Sequence, residues 1–249
     1  MTSASIEIAP KLEEDEPLIS RINIHKFAAE FIGTYILILI GVGSIIVDER
    51  VHITLLGVAL AWGTVVIALV YTIGHISGCH LNPAITIAFA SIRQFPWKLV
   101  LPYMVVQVLS ATLACLTLRC LFVGENASLM LSHPIGSTGN LNAVTSEIIV
   151  TCILMFVVCG TVTDPMAIND LAGVAIGATV IFNVVIAGTI SGASMNPARS
   201  LGSAFATMNF QGIWIYITAP VIGAVAGSSP YFFVSLHDFK KKSSMTLKT

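Results

Sequence analysis

The chain has 249 residues, of which 55% are apolar and only 10% are Asp, Glu, Lys or Arg, and its formal net charge is −1. A soluble domain needs about a quarter charged residues to cover its surface. With a mean hydropathy of +0.89, this composition excludes a soluble globular protein and a basic nucleic-acid binder, and it points to a chain embedded in a lipid bilayer.

Residues 1–25 contain Glu13, Glu14, Asp15 and Glu16 and lack the basic start and apolar core of a signal peptide. They read as a disordered cytosolic tail. Apolar windows of about 20 residues, the length that crosses roughly 30 Å of hydrocarbon, fall at 27–48, 54–75, 98–120, 143–162, 171–189 and 212–236. Six such spans put both termini on one side. Arg21, Lys26, Arg93, Lys98 and Lys240 to Lys242 then share the side of the termini, which makes that side cytosolic. Arg119 is the exception, and it is expected to snorkel from a span end. The turn at Asp48 to Arg50 and the loop 121–142 fall outside. Two further apolar stretches, 82–92 and 196–206, have about half the length of a span and read as short helices that enter the membrane and turn back.

These two stretches belong to a repeat. "ISGCHLNPAIT" from Ile76 returns as "ISGASMNPARS" from Ile190, and "AAEFIGTYILI" around Glu30 returns as "TSEIIVTCILM" around Glu147. Each half therefore has three spans, about 26–120 and 143–236, with the repeated loop after the second. An odd number of spans forces the second half to enter from the opposite face, so the repeat is inverted and the two short helices meet near the midplane.

Asn82-Pro83-Ala84 and Asn196-Pro197-Ala198 have the composition of helix starts. The Asn side-chain oxygen can cap the first turn, and Pro fits the first helical position because its missing N–H has no partner there. The Asn amide nitrogens are then expected to be lumen donors. Two helix N-termini aimed at one point repel a cation and suit a neutral polar solute. Arg199 follows the second triplet, and a cation at that depth needs a pore or a partner. Glu30 and Glu147 are expected to hold the exposed N–H groups of the two loops, with proton relay as the alternative, and His80 is expected to orient its loop, with a gating His80 or His75 as the alternative. The five cysteines, Cys79, Cys115, Cys120, Cys152 and Cys159, include no CxxC pair and read as small buried residues, so neither a metal site nor a cofactor is expected.

From Lys26 to Phe239 these motifs resemble the major intrinsic proteins, the aquaporins and glycerol facilitators. "VYTIGHISGCHLNPAITIAFA", the "AWG" of the second span and "IFNVVIAGTISGASMNPARSLG" are similar to the nodulin-26-like subgroup of plants. The resemblance implies an all-α hourglass fold of six transmembrane helices and two re-entrant half-helices over a channel domain at 26–239, followed by a basic cytosolic tail at 240–249. It also implies a homotetramer in a plasma or internal plant membrane, and a constriction of Trp62, Val184, Ala193 and Arg199.

Val184 and Ala193 leave room at that constriction, and Trp62 offers an apolar face to the carbon atoms of a polyol. The implied activity is passive passage of water and small uncharged solutes such as glycerol, with ammonia, lactic acid and metalloid acids as further candidates, and no enzymatic reaction. A non-conducting structural or adhesion protein on the same scaffold is the alternative. Thr189 stands where the subgroup's pattern has Pro, which bears on how the fifth span ends. Ser243 and Ser244 are candidate sites for a protein kinase, and Asn126-Ala127-Ser128 matches an N-glycosylation acceptor on the outer side.

Overall fold

The computed structural model describes residues 21–164 and 167–246, with side chains over 23–164 and 167–231, and the described residues contain helices and no strand. The helices are α1 (Arg21–Val51), α2 (Thr54–Ser77), α3 (Pro83–Ser91), α4 (Trp97–Leu121), α5 (Asn140–Val162), α6 (Ala172–Ala187), α7 (Pro197–Thr207) and α8 (Ile213–Thr246), with short 3₁₀ turns at Ala127–Met130 and Asn169–Leu171. Six are long and apolar enough to cross a membrane, α6 together with the 3₁₀ turn before it. They coincide with the expected windows, and the chain is a multi-pass membrane protein.

The ends differ from expectation in one respect. Residues 21–25, expected in a disordered tail, are helical and begin α1. A helix already nucleated by the span extends at little cost per residue, and Asn23 is buried against the rest of the protein. Ser243 and Ser244 fall where no side chain is described, and most of the acidic N-terminal segment lies outside the described residues.

Helices in lipid gain little from apolar burial against one another and rely on close packing, which small residues allow. Gly63 of α2 and Gly177 of α6 make one such crossing. A Cβ on either would lie 2.5 Å from the carbonyl oxygen of the other. Gly223 and Gly227 of α8 do the same against α5, where a Cβ would meet the Ile148 and Cys152 carbonyl oxygens at 2.4 and 2.2 Å. Gly202 lets α7 lie against Ala111 of α4.

Polar contacts at the ends sort the loops into two sides. Arg50 pairs with Glu125 at 2.7 Å and stacks over Phe122 at 4.9 Å, which joins the last turn of α1 to the loop after α4. Tyr71 donates to the Asp170 carbonyl at 3.0 Å, and Tyr231 to Asp164 Oδ2 at 2.6 Å, so α2 and α8 both meet the connection between α5 and α6. Arg119 is exposed at the end of α4. Its Nη1 donates to the Ala206 carbonyl at 2.6 Å, in the last turn of α7, where orphan carbonyls and the negative end of the helix dipole favour a cation.

At the end of α6, Gly188 keeps a right-handed helical conformation with φ −58° and ψ −36°. A proline at 189 disfavours that conformation in the residue before it. Thr189 therefore permits the last turn of α6 to continue through Gly188.

Candidate functional site: a lumen between two half-helices

At about 1.5 Å rise per residue, the 9 residues of α3 and the 11 of α7 reach roughly half of a 30 Å hydrocarbon layer. Their N-termini face each other. Asn82 Oδ1 accepts the Ala84 N–H at 2.9 Å, and Asn196 Oδ1 accepts those of Ala198 at 2.9 Å and Arg199 at 3.3 Å. These are the caps expected from the sequence.

The amide nitrogens are more committed than expected. Asn82 Nδ2 donates to the Met195 carbonyl at 2.7 Å, and Asn196 Nδ2 donates to the Leu81 carbonyl at 2.8 Å. One hydrogen of each amide is thus spent on the opposite loop, because each Asn sits at the tip where the two loops touch. The second hydrogen remains for the lumen.

The loops before the triplets share an unusual backbone. Gly78, Cys79 and Leu81 have positive φ, as do Gly192, Ala193 and Met195. Alternation of left-handed and other residues turns successive N–H groups to one side, forming an anion nest. Glu30 fills the first nest: Oε1 accepts His80 N–H and the Ser77 hydroxyl, each at 2.8 Å, and Oε2 accepts Leu81 N–H at 2.7 Å. Glu147 fills the second, accepting Ser191 Oγ at 2.7 Å, Ser194 N–H at 2.8 Å and Met195 N–H at 2.7 Å. Both carboxylates are fully buried. Tyr103 and Tyr216 close the other edge of each loop by donating to the Ser77 and Ser191 carbonyls at 3.0 and 2.9 Å. Left-handed conformations cost about 1–3 kcal/mol each for residues with a side chain, and the nested carboxylates offset that cost.

The halves diverge in detail. Glu30 has a fourth partner, Gln107 Nε2 at 2.8 Å, which also donates to Thr86 Oγ1 at 3.2 Å. His80 Nδ1 lies 3.1 Å from the same Thr86 oxygen, and its ring stacks on Phe89 at 4.9 Å and meets Phe95 edge-on at 4.7 Å. His75 is exposed on α2, away from this cluster.

One cavity is lined by both loops, including Cys79, His80, Asn82 and Asn196, and by Trp62, Val184 and Ala193. It gives the centres of water-sized molecules about 100 Å³, several times the roughly 10–15 Å³ that one water needs. Most of the remaining wall is aliphatic: Leu37, Val66, Val70, Leu154, Val158 and Val180 are among its residues. Arg199 is 3% exposed, and its guanidinium carbon lies 5.2 Å from the Trp62 ring centroid. The four candidate constriction residues, from α2, α6, the second loop and α7, thus come together. Asn126 does not join them. It is exposed, and its Oδ1 caps the 3₁₀ turn through Ser128 N–H at 3.0 Å.

Sequence reading missed several residues of the site. Tyr103 and Tyr216 hold equivalent places in the two halves, so a fuller alignment of the repeat would have found them. Gln107 has no counterpart in the other half, and no local pattern marks it.

Six spans in an inverted repeat, with two half-helices meeting over a common lumen, define a channel-forming membrane protein. The family profile of the Major intrinsic protein matches residues 18–231. Nodulin-26 of Glycine max is 48% identical over 240 residues, covering 96% of this chain and 87% of that protein. Aquaporin NIP1-1 of Oryza sativa subsp. japonica is 50% identical over 210 residues, covering 84% and 73%. The X-ray structure of the aquaglyceroporin from Plasmodium falciparum superposes with a TM-score of 0.76 at 26% identity, over 84% of this chain and 95% of that one. The chain belongs to the major intrinsic protein family, in its nodulin-26-like branch, and has the aquaporin fold of a channel, not an enzyme.

Proposed function

We propose that the protein is a passive pore for water and small uncharged solutes of glycerol size, with Trp62, Val184, Ala193 and Arg199 as its constriction and the two Asn-Pro-Ala motifs as its waist. The observation that carries this reading is the pairing of Trp62 with Arg199 at 5.2 Å beside the short side chains of Val184 and Ala193. A polyol fits such a ring with its carbon edge on the indole and its hydroxyls on the guanidinium. The two helix N-termini and the buried cation oppose cations at the waist, while the aliphatic wall gives an ion no substitute for its hydration.

The assembly is a homotetramer, with one pore in each protomer, in the plasma membrane or an internal plant membrane. Both termini are cytosolic, and the tail serines Ser243 and Ser244 are the sites open to a protein kinase. Stopped-flow light scattering of proteoliposomes under an osmotic gradient and then a glycerol gradient tests the activity. Fluxes of both above those of empty liposomes are expected; glycerol flux equal to that of empty liposomes would overturn the solute reading.

A further inference from the structure

The connector between α4 and α5 belongs to neither repeat, yet it supplies a side chain to the constriction. Ser132 is 6% exposed, and its Oγ accepts a hydrogen bond from Arg199 Nη1. The same oxygen lies 2.6 Å from Ser200 Oγ, which lies 2.6 Å from Ser194 Oγ, and Ser194 donates to the Asn196 carbonyl at 3.1 Å.

The direction of every proton in this row follows from its ends. A guanidinium has donors only, so Ser132 accepts from Arg199 and has its own proton to give. It gives that proton to Ser200, Ser200 gives to Ser194, and Ser194 gives to the carbonyl of Asn196. Each hydroxyl donates once; Ser132 and Ser200 each accept once, and Ser194 also accepts the Asn196 N–H at 3.4 Å. A one-way row that starts on a cation polarises along its length, and each bond strengthens the next. In the inner half the equivalent contacts join His80, Thr86 and Gln107, with no cation among them.

Arg199 has little else to hold it. Among the described residues its guanidinium has one other acceptor, the Gly192 carbonyl at 3.2 Å from Nη2, and its buried Nε has no partner. The connector is fixed in its turn, because the Ile135 N–H donates to the Ile190 carbonyl at 3.0 Å, next to the second loop.

We propose that Ser132 is a positioning residue that sets the selectivity of the pore, holding the Arg199 guanidinium against Trp62 and tying it through Ser200 and Ser194 to the backbone of Asn196. The inference rests on the reading of Arg199 as a constriction residue. It assigns part of the choice of solute to the connector, outside the repeated motifs.

The test compares Ser132→Thr with Ser132→Val in the full-length protein in liposomes. The two side chains have nearly the same shape and differ in the hydroxyl. The readout is the ratio of glycerol to water permeability. Ser132→Thr is expected to keep the wild-type ratio. Ser132→Val is expected to change it by about threefold or more, the lower end of the scale for a lost hydrogen bond, while water flux is largely kept. Ser200→Ala, which removes the acceptor of the Ser132 proton, is expected to move the ratio in the same direction and serves if the valine variant does not fold.

An unchanged ratio in both Ser132→Val and Ser200→Ala, or an equal fall in both fluxes, would overturn the assignment. A wild type that passes water alone would overturn the proposed solute instead. Ser132 would then be judged on whether the valine variant admits glycerol: admission supports the assignment, and continued exclusion overturns it.

Discussion

Asn82 and Asn196 each hold the loop that carries the other. The amide of Asn82 donates to Met195, the residue before Asn196, and the amide of Asn196 donates to Leu81, the residue before Asn82. The waist of the channel is therefore a two-way clasp, and its two halves stand or fall together. Asn82→Ala is expected to lower stability by about 1 kcal/mol for the lost cap and by about 1 kcal/mol for the lost cross-loop bond. Asn196→Ala should cost a similar amount. Because each removes a support of the other's loop, the double variant should fall short of the sum by about 0.5 kcal/mol or more. Melting curves of the four proteins in one detergent check this; strict additivity would show the clasp to be energetically idle.

Glu30 accepts four hydrogen bonds in a fully buried site. A Gln at that position turns one oxygen into a donor that faces other donors. Glu30→Gln is expected to destabilise by about 3 kcal/mol, the scale of two lost bonds to a charged acceptor at about 1.5–3 kcal/mol each. The effect should appear in unfolding and in the amount of folded protein, with no proton movement coupled to solute flux in the wild type. A Glu30→Gln protein that melts like wild type but conducts differently as pH changes would favour the proton-relay reading.

Trp62 has the room it needs because residue 41 is glycine. A Cβ on Gly41 would lie 2.3 to 2.4 Å from the indole ring atoms, and only movement of the ring can relieve that contact. Gly41→Ala is therefore expected to displace the ring and to lower glycerol permeability severalfold, with a smaller loss for water. A Trp62→His variant should likewise lose glycerol selectively. Equal effects on the two solutes in both variants would place the constriction elsewhere.

The sidedness of the loops gives a prediction that needs no flux measurement. Asn126 and Ser128 are exposed in the loop that Arg50 joins through Glu125. With cytosolic termini this loop faces the lumen of microsomes, and translation in their presence should add a glycan that Asn126→Gln removes. A glycan acceptor engineered into the loop between α5 and α6 should stay unmodified. Modification there instead would reverse the topology.

Several features were legible in the sequence because they are local or periodic. Six apolar stretches report the thickness of hydrocarbon directly, and an Asn-Pro pair reports a helix start through the needs of one turn of backbone. The repeat of Glu30 as Glu147 pointed to two equivalent loops, and both carboxylates do bind the loop N–H groups. Family resemblance supplied Trp62, Val184, Ala193 and Arg199 as a group, a combination that no spacing rule would have assembled.

Other features were decided only in three dimensions. The sequence offered Asn82 and Asn196 as free donors, but the meeting of the loop tips commits half of each amide. Arg119 read as a cation near a span end, and only the fold shows that the last turn of α7 supplies its acceptor, the Ala206 carbonyl. Ser132 had no marked neighbour in sequence, and it acquired its place when the connector folded over the second loop. The physical reason is common to these cases. Hydrocarbon matching and helix capping act within a turn or a span and leave a pattern in the chain, whereas a hydrogen-bond partner is chosen by proximity between distant segments and leaves none.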